Sequence, residues 1–290
     1  GAIISSNAPI HERGHIVPGY AYLDSDDRTP FWRELGKRVH EHDCKYVVQL
    51  VYAGRERILP GLRYDTALGA TGDPEPMSGF RCSAATPEEI GDIVGWFAQA
   101  SRRVREAGLD GIELAGANGM LFTQFLSPAI NRRQDDYGGS LENRARFALE
   151  VVRAIRAEVG DDFCLGFKIS VDEAPRELLP WLRRGNSVDD IVRVCSWLED
   201  AGVDYFHVSA GTGFPHPRNP AGRLPARAVA DQHGARDTEI GAPDLIAGGS
   251  RGDRGGRRPH RRGDATDRPR RDGRRAGGVS GSSRGSCRRR

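Results

Sequence analysis

Short apolar runs and stretches with helical spacing take turns along the chain. Ala2 to Ser5 is β-rich, and Pro30 opens a helix candidate, PFWRELGKRVHEH. The run KYVVQLVY, Lys45 to Tyr52, is short, apolar and rich in β-branched and aromatic residues, which predicts a buried strand. Thr86-Pro87-Glu88-Glu89 has the form of a capped helix start, with Thr86 at the cap, Pro87 at the first helical position and Glu89 at the third. That helix is predicted to run to about Ala107 and stop at Gly108. Gly111 to Leu114 reads as a strand, and Ser140 opens a long helix through Val159 with Phe147, Val151, Val152 and Ile155 at helical spacing. Cys164 to Val171 (strand), Ser187 to Ala201 (helix) and Tyr205 to Ser209 (strand) follow. Five short apolar strands alternating with helices predict an α/β fold, a parallel sheet covered by helices.

Composition divides the chain in two. It has 43 Lys+Arg, 40 Asp+Glu and a formal charge of +3. Residues 251–290 hold 15 Arg, 4 Asp and nine Gly, a net +11, so residues 1–250 are acidic at −8. The apolar side chains of that end are Ala265, Ala276, Val279 and Cys287, too few to offset the entropy of ordering it. We therefore expect a structured body over residues 1–222 and an Arg/Gly-rich, disordered or out-of-frame stretch over 223–290. An Arg-rich end also attracts phosphate, which opens a polyanion-binding reading, although it lacks the aromatics that base stacking requires. No run approaches the roughly 18 apolar residues of a membrane helix. The start, GAIISSNAPIHERG, lacks the pattern of a signal peptide. Five scattered cysteines suggest neither a disulfide framework nor a metal site, and a reducing, cytoplasmic setting is expected.

Several polar residues stand out against apolar surroundings. Gln49 lies inside KYVVQLVY and Lys168 inside LGFKIS. A buried amide needs a partner in the protein or in a ligand, and a buried cation needs a charged or electron-rich one. From either residue alone, a satisfied core amide or an internal salt bridge remains open. The turn Ala115-Gly116-Ala117-Asn118-Gly119-Met120 permits close backbone approach, with Asn118 as donor and acceptor. His207 reads as a packed, satisfied histidine. The polar stretch FLSPAINRRQDDYGGSLENRAR, Phe125 to Arg146, is too dense in charge for a linker and predicts a fixed, hydrogen-bonded loop.

With Phe147 added, that stretch resembles the signature loop of the Old Yellow Enzyme family, the FMN-dependent NAD(P)H:flavin oxidoreductases that include 2,4-dienoyl-CoA reductases. YVVQLVYAGR, LGFKIS and DYFHVSAG resemble other strands of the family. The resemblance covers about Ala2 to Pro220 and implies an incomplete TIM (β/α)8 barrel, about strands two to six. Leu245 to Gly249 is a faint candidate for a seventh strand. It further implies FMN as cofactor, NADH or NADPH as reductant, and hydride transfer to the activated C=C of an enone or enoyl-type small molecule. Gln49 would meet the flavin pyrimidine edge, Lys168 would stand beside flavin N1, and Asn7 would fall where the backbone approaches the ring. At the turn after strand four the family usually carries a His, then a His or Asn, then a Tyr. Here those positions hold Ala115, Asn118 and Met120. Asn118 would orient the substrate carbonyl, while Ala115 and Met120 would line a roomier, more apolar pocket without a proton donor. The apparent absence of the family's first and last strands makes a flavin-free fragment the alternative.

Overall fold

The computed structural model describes residues 1–16, 19–56, 64–75, 79–171, 173 and 185–209. Residues 223–290 and the candidate strand Leu245 to Gly249 lie outside them. The described elements are β1 (Ala2–Pro9), α1 (Thr29–His40), β2 (Lys45–Val51), β3 (Ala67–Gly69), β4 (Cys82–Ala84), α2 (Pro87–Glu106), β5 (Gly111–Gly116), α3 (Leu121–Leu126), α4 (Leu141–Val159), β6 (Cys164–Ser170), α5 (Val188–Asp200) and β7 (Tyr205–Ser209). Two short 3₁₀ turns, Glu12–Gly14 and Asp26–Arg28, lie between β1 and α1.

Five strands form one sheet in the order β1-β2-β5-β6-β7, every neighbouring pair parallel. Parallel neighbours require crossovers, and α1, α2, α4 and α5 supply them. Alternation along each strand sends side chains to opposite faces. One face is a dry core: Val48 and Leu50, Ile112 and Leu114, Leu165, Phe167 and Ile169 are each at most 1% exposed. Phe122 gathers Phe97, Phe147 and Phe167 around it, each ring centroid 5.1 Å away, and so joins α2, α3, α4 and β6.

The starts of the strands are pinned by a repeated device. Asp110, just before β5, accepts from the Tyr46 N–H of β2 at 2.8 Å, from Lys45 Nζ at 2.8 Å and pairs with His40. Asp204, just before β7, accepts from the Leu165 N–H of β6 at 2.8 Å and from Arg156 at 2.7 Å. Both anions close the end of the sheet that carries stability in barrel folds, leaving the opposite end to the loops.

The helix signals act as predicted. The Thr86 hydroxyl accepts from the Glu89 N–H while Glu89 accepts from the Thr86 N–H, and α2 stops before Gly108, whose φ of +78° suits glycine. Ser140 caps α4 and Ser187 caps α5. β1 runs four residues past the predicted Ser5, through a register shift between Ile4 and Asn7 that sets Asn7 opposite Gln49. Helix α3 and the two-stranded β3–β4 sheet lie beyond the elements predicted from the pattern.

Candidate active site

The second face of the sheet carries a row of polar residues. Asn7, Gln49, Glu113, Gly166 and Tyr205 are successive partners across β1, β2, β5, β6 and β7. Two residues further along, Ala115, Lys168 and His207 form the next row. Residues i and i+2 share a face, so Gln49 and Lys168 project to the same side, with Lys168 one row nearer the C-terminal strand ends. The register thus places Gln49 and Lys168 on one face, on either side of β5.

Their partners differ. Gln49 Nε2 donates to Glu113 Oε1 at 2.6 Å, whereas its carbonyl oxygen accepts no hydrogen bond from the described residues. Half of the amide is a satisfied core group and half is open. Lys168 is half-buried, and its ammonium makes no ion pair or hydrogen bond among the described residues, where the salt bridge left open by the sequence is not formed. His207 meets half of the expectation: it is satisfied, with its Nδ1 3.2 Å from Glu113 Oε2, but its side chain is 43% exposed rather than packed.

Glu113 is the central residue that the sequence reading missed. It is 0% exposed and also accepts from the Tyr205 hydroxyl at 3.1 Å. Burial, with the Glu113 charge beside it, pushes the Tyr205 phenol well above its ordinary value. The signal was available: an acid inside GIELAG is as anomalous as an amide inside KYVVQLVY.

At the strand ends the backbone is tied by an amide. Gln124 of α3 donates through Nε2 to the Ala53 carbonyl at 2.9 Å and the Gly119 carbonyl at 2.7 Å, and accepts from the Arg55 N–H at 3.2 Å. It clamps the loop after β2 to the turn after β5. Gly54 is required there, because a Cβ would meet the Gln124 amide at 2.4 Å and its φ is +62°. Thr123 adds a bond to the Gly116 carbonyl at 2.9 Å. Asn118, held by this clamp, is left-handed at φ +58° and half-buried. Ala115 joins Ile16, Val51 and Ala53 in a small apolar cluster against which Met120 and Tyr20 pack. Of the sequence-predicted site residues, Asn7, Gln49 and Lys168 line the inner face, and Ala115, Asn118 and Met120 its rim.

The signature stretch is the fixed structure its charge density predicted. Arg133 donates to the carbonyls of Ala70 (3.1 Å) and Ala85 (2.7 Å) and pairs with Asp135 through Nε and Nη2. Asn131 donates to the carbonyls of Phe125 and Tyr137. Arg144 donates to those of Leu126 and Gly139 and to Asn186 Oδ1.

The model of the NADH:flavin oxidoreductase / NADH oxidase family matches residues 1–211. The chain belongs to that family. N,N-dimethylglycine/sarcosine dehydrogenase from Chromohalobacter salexigens is 40% identical over 192 residues, 66% of this chain and 26% of that protein. NADH oxidase from Thermoanaerobacter brockii is 38% identical over 214 residues, 73% of this chain and 32% of that protein. Among solved structures, a 2-naphthoyl-CoA reductase in complex with 2-naphthoyl-CoA superposes with a TM-score of 0.65 at 26% identity, covering 72% of this chain and 33% of that one. The chain therefore spans about a quarter to a third of the length of these relatives. Membership in the NADH:flavin oxidoreductase family accounts for the sheet as five strands of a TIM barrel, and FMN with NADH or NADPH is the cofactor set of that family. Among the described residues no helix is long and apolar enough to cross a membrane.

The inner face fits a flavin on its own chemistry. A flavin pyrimidine edge needs an acceptor and a donor side by side, which the open oxygen and second amide hydrogen of Gln49 provide. Lys168, a cation with no partner among the described residues, lies one row away.

Proposed function

We propose that this chain carries the flavin site of an FMN-dependent oxidoreductase that takes hydride from NADH or NADPH and passes it to the activated C=C of an enone or enoyl-type substrate. The observation that carries the reading is the pair Gln49 and Lys168 on one face of the sheet, where the Gln49 amide oxygen and the Lys168 ammonium have no partner among the described residues. When bound, FMN supplies the hydride relay between nicotinamide and substrate. Gln49 holds the pyrimidine edge, Lys168 sets positive charge beside it, and Asn7 lies opposite Gln49 in β1. Asn118, held by the Gln124 clamp, donates to the substrate carbonyl. Ala115 and Met120 give that substrate an apolar, roomy rim, and neither donates a proton. Carbon protonation then comes from water, at the cost of the roughly 10²–10⁴-fold that a positioned acid contributes. The setting that goes with this reading is cytoplasmic. The partner is a small molecule. Neither a flavin-free fragment nor a polyanion-binding protein finds support in the comparisons.

A second reading runs the hydride the other way, from the carbon beside an amine nitrogen. It is favoured by the rim itself, since oxidation of an amine requires no acid at residue 120, and by the similarity to a dimethylglycine/sarcosine dehydrogenase. The test is the visible spectrum of the purified chain with FMN added. Yellow absorbance bleached by NADH or NADPH and restored by a bulky enone supports the first reading, and bleaching by sarcosine alone supports the second. A protein that retains no flavin sinks both.

A further inference from the structure

Glu113 is an expensive residue to bury. A carboxylate at 0% exposure survives only if its oxygens are hydrogen-bonded, and three donors reach this one: Gln49 Nε2, the Tyr205 hydroxyl and His207 Nδ1. Because a carboxylate only accepts, His207 carries a proton on Nδ1 and the Gln49 amide turns its nitrogen toward Glu113. The space for this arrangement is built in. Any Cβ at Gly166 would meet the Tyr205 ring at 2.1 Å, so glycine there lets the tyrosine lie across β6 and reach β5.

An unrestrained glutamine presents either end of its amide to a ligand at nearly equal energy. We infer that Glu113 is a positioning residue that acts through Gln49, fixing the amide so that its oxygen faces the ligand as an acceptor for the N–H of an imide edge. The inference rests on the flavin reading of the site. It gives the carboxylate a function beyond filling the interior, and Tyr205, His207 and Gly166 hold the carboxylate in turn.

The experiment is a double-mutant cycle on FMN affinity, read by quenching of flavin fluorescence in the full chain. Glu113→Gln offers Gln49 both a donor and an acceptor and so removes the orientation lock, and Gln49→Ala removes the amide. Each single change is expected to weaken FMN roughly tenfold, the value of one hydrogen bond to the ligand. The double variant is expected to be no weaker than Gln49→Ala alone, because Glu113 has nothing left to orient. Additive losses, or no loss in Glu113→Gln, overturn the inference while leaving the flavin reading intact. Failure of the parent protein to bind FMN overturns that reading and this inference together. If Glu113→Gln does not fold, Glu113→Asp takes its place in the cycle: it keeps the charge but withdraws it by one methylene from Gln49, and the same non-additivity is required.

Discussion

Two polar regions of this molecule treat their hydrogen-bonding capacity in opposite ways. In the stretch from Phe125 to Arg146, Arg133 and Arg144 are committed to carbonyls at 2.6–3.1 Å and to Asp135 and Asn186, and Asn131 bridges Phe125 and Tyr137. On the inner face, Gln49 keeps its oxygen and Lys168 its ammonium free of the described protein. The charged stretch is the conspicuous one in the sequence, yet its groups are consumed in joining α3 and α4 to the β3–β4 sheet. Chemistry is left to the two residues that looked out of place in apolar strands. Changes in the first region should cost stability, and changes in the second should cost cofactor.

The largest effect belongs to Arg144→Ala. The residue is 8% exposed, and its guanidinium satisfies two carbonyls and one amide oxygen. Leaving these buried acceptors bare should cost roughly 3–4 kcal/mol. A urea midpoint that moves accordingly, with FMN affinity unchanged wherever the protein is folded, sharpens the contrast. Loss of FMN at full stability would break it.

Glu173 is tied to the signature stretch through Asn186, which donates to its Oε1 while accepting from Arg144. Burial pushes its carboxyl from 4.5 up to about 7, against the pull of Asn186 and Arg144. The folded chain therefore keeps a proton that the unfolded chain releases near its ordinary value. Stability from this group is present below pH 4.5, falls as pH rises toward 7 and stays low above it, a change of about 3 kcal/mol. Glu173→Gln should flatten that slope and be the more stable protein at pH 8. A steeper slope in the variant would contradict the sign.

Lys168→Met tests the other side. The residue is half-buried and its ammonium has no partner among the described residues, so stability should move by less than about 1 kcal/mol. FMN affinity should nevertheless fall roughly tenfold. Stability lost in step with affinity would mean that Lys168 belongs with the signature stretch.

Most of the fold was legible because its elements are long or sharply bounded. Thr86 and Glu89 announce α2, and an unbroken apolar run announces β2. Helix α3 was not, because LFTQFL is buried on every side and lacks both an alternating pattern and a capping residue. The strands β3 and β4, three residues each, are shorter than any period can reveal. At the site, Gln49 and Lys168 were legible as intruders in apolar strands, and Glu113 carried the same mark. Its meaning depends on register: which residues stand opposite one another across β2, β5 and β7 is set by tertiary pairing, and no local pattern encodes it. Gln124 is hidden for a similar reason, since its partners at Ala53 and Arg55 come from another loop.

The finest test of the contrast is Ser140→Ala. Its hydroxyl accepts from the Asn143 N–H at 3.2 Å and caps α4 at the end of the signature stretch. The bond is exposed, so the expected loss is about 1 kcal/mol, read as a lower unfolding midpoint. If even this peripheral member of the stretch acts on stability and leaves FMN affinity unmoved, the division between the regions holds down to single exposed bonds. A measurable loss of FMN would instead mean that the α4 start helps place the strand ends, and the division would have to be redrawn to include it.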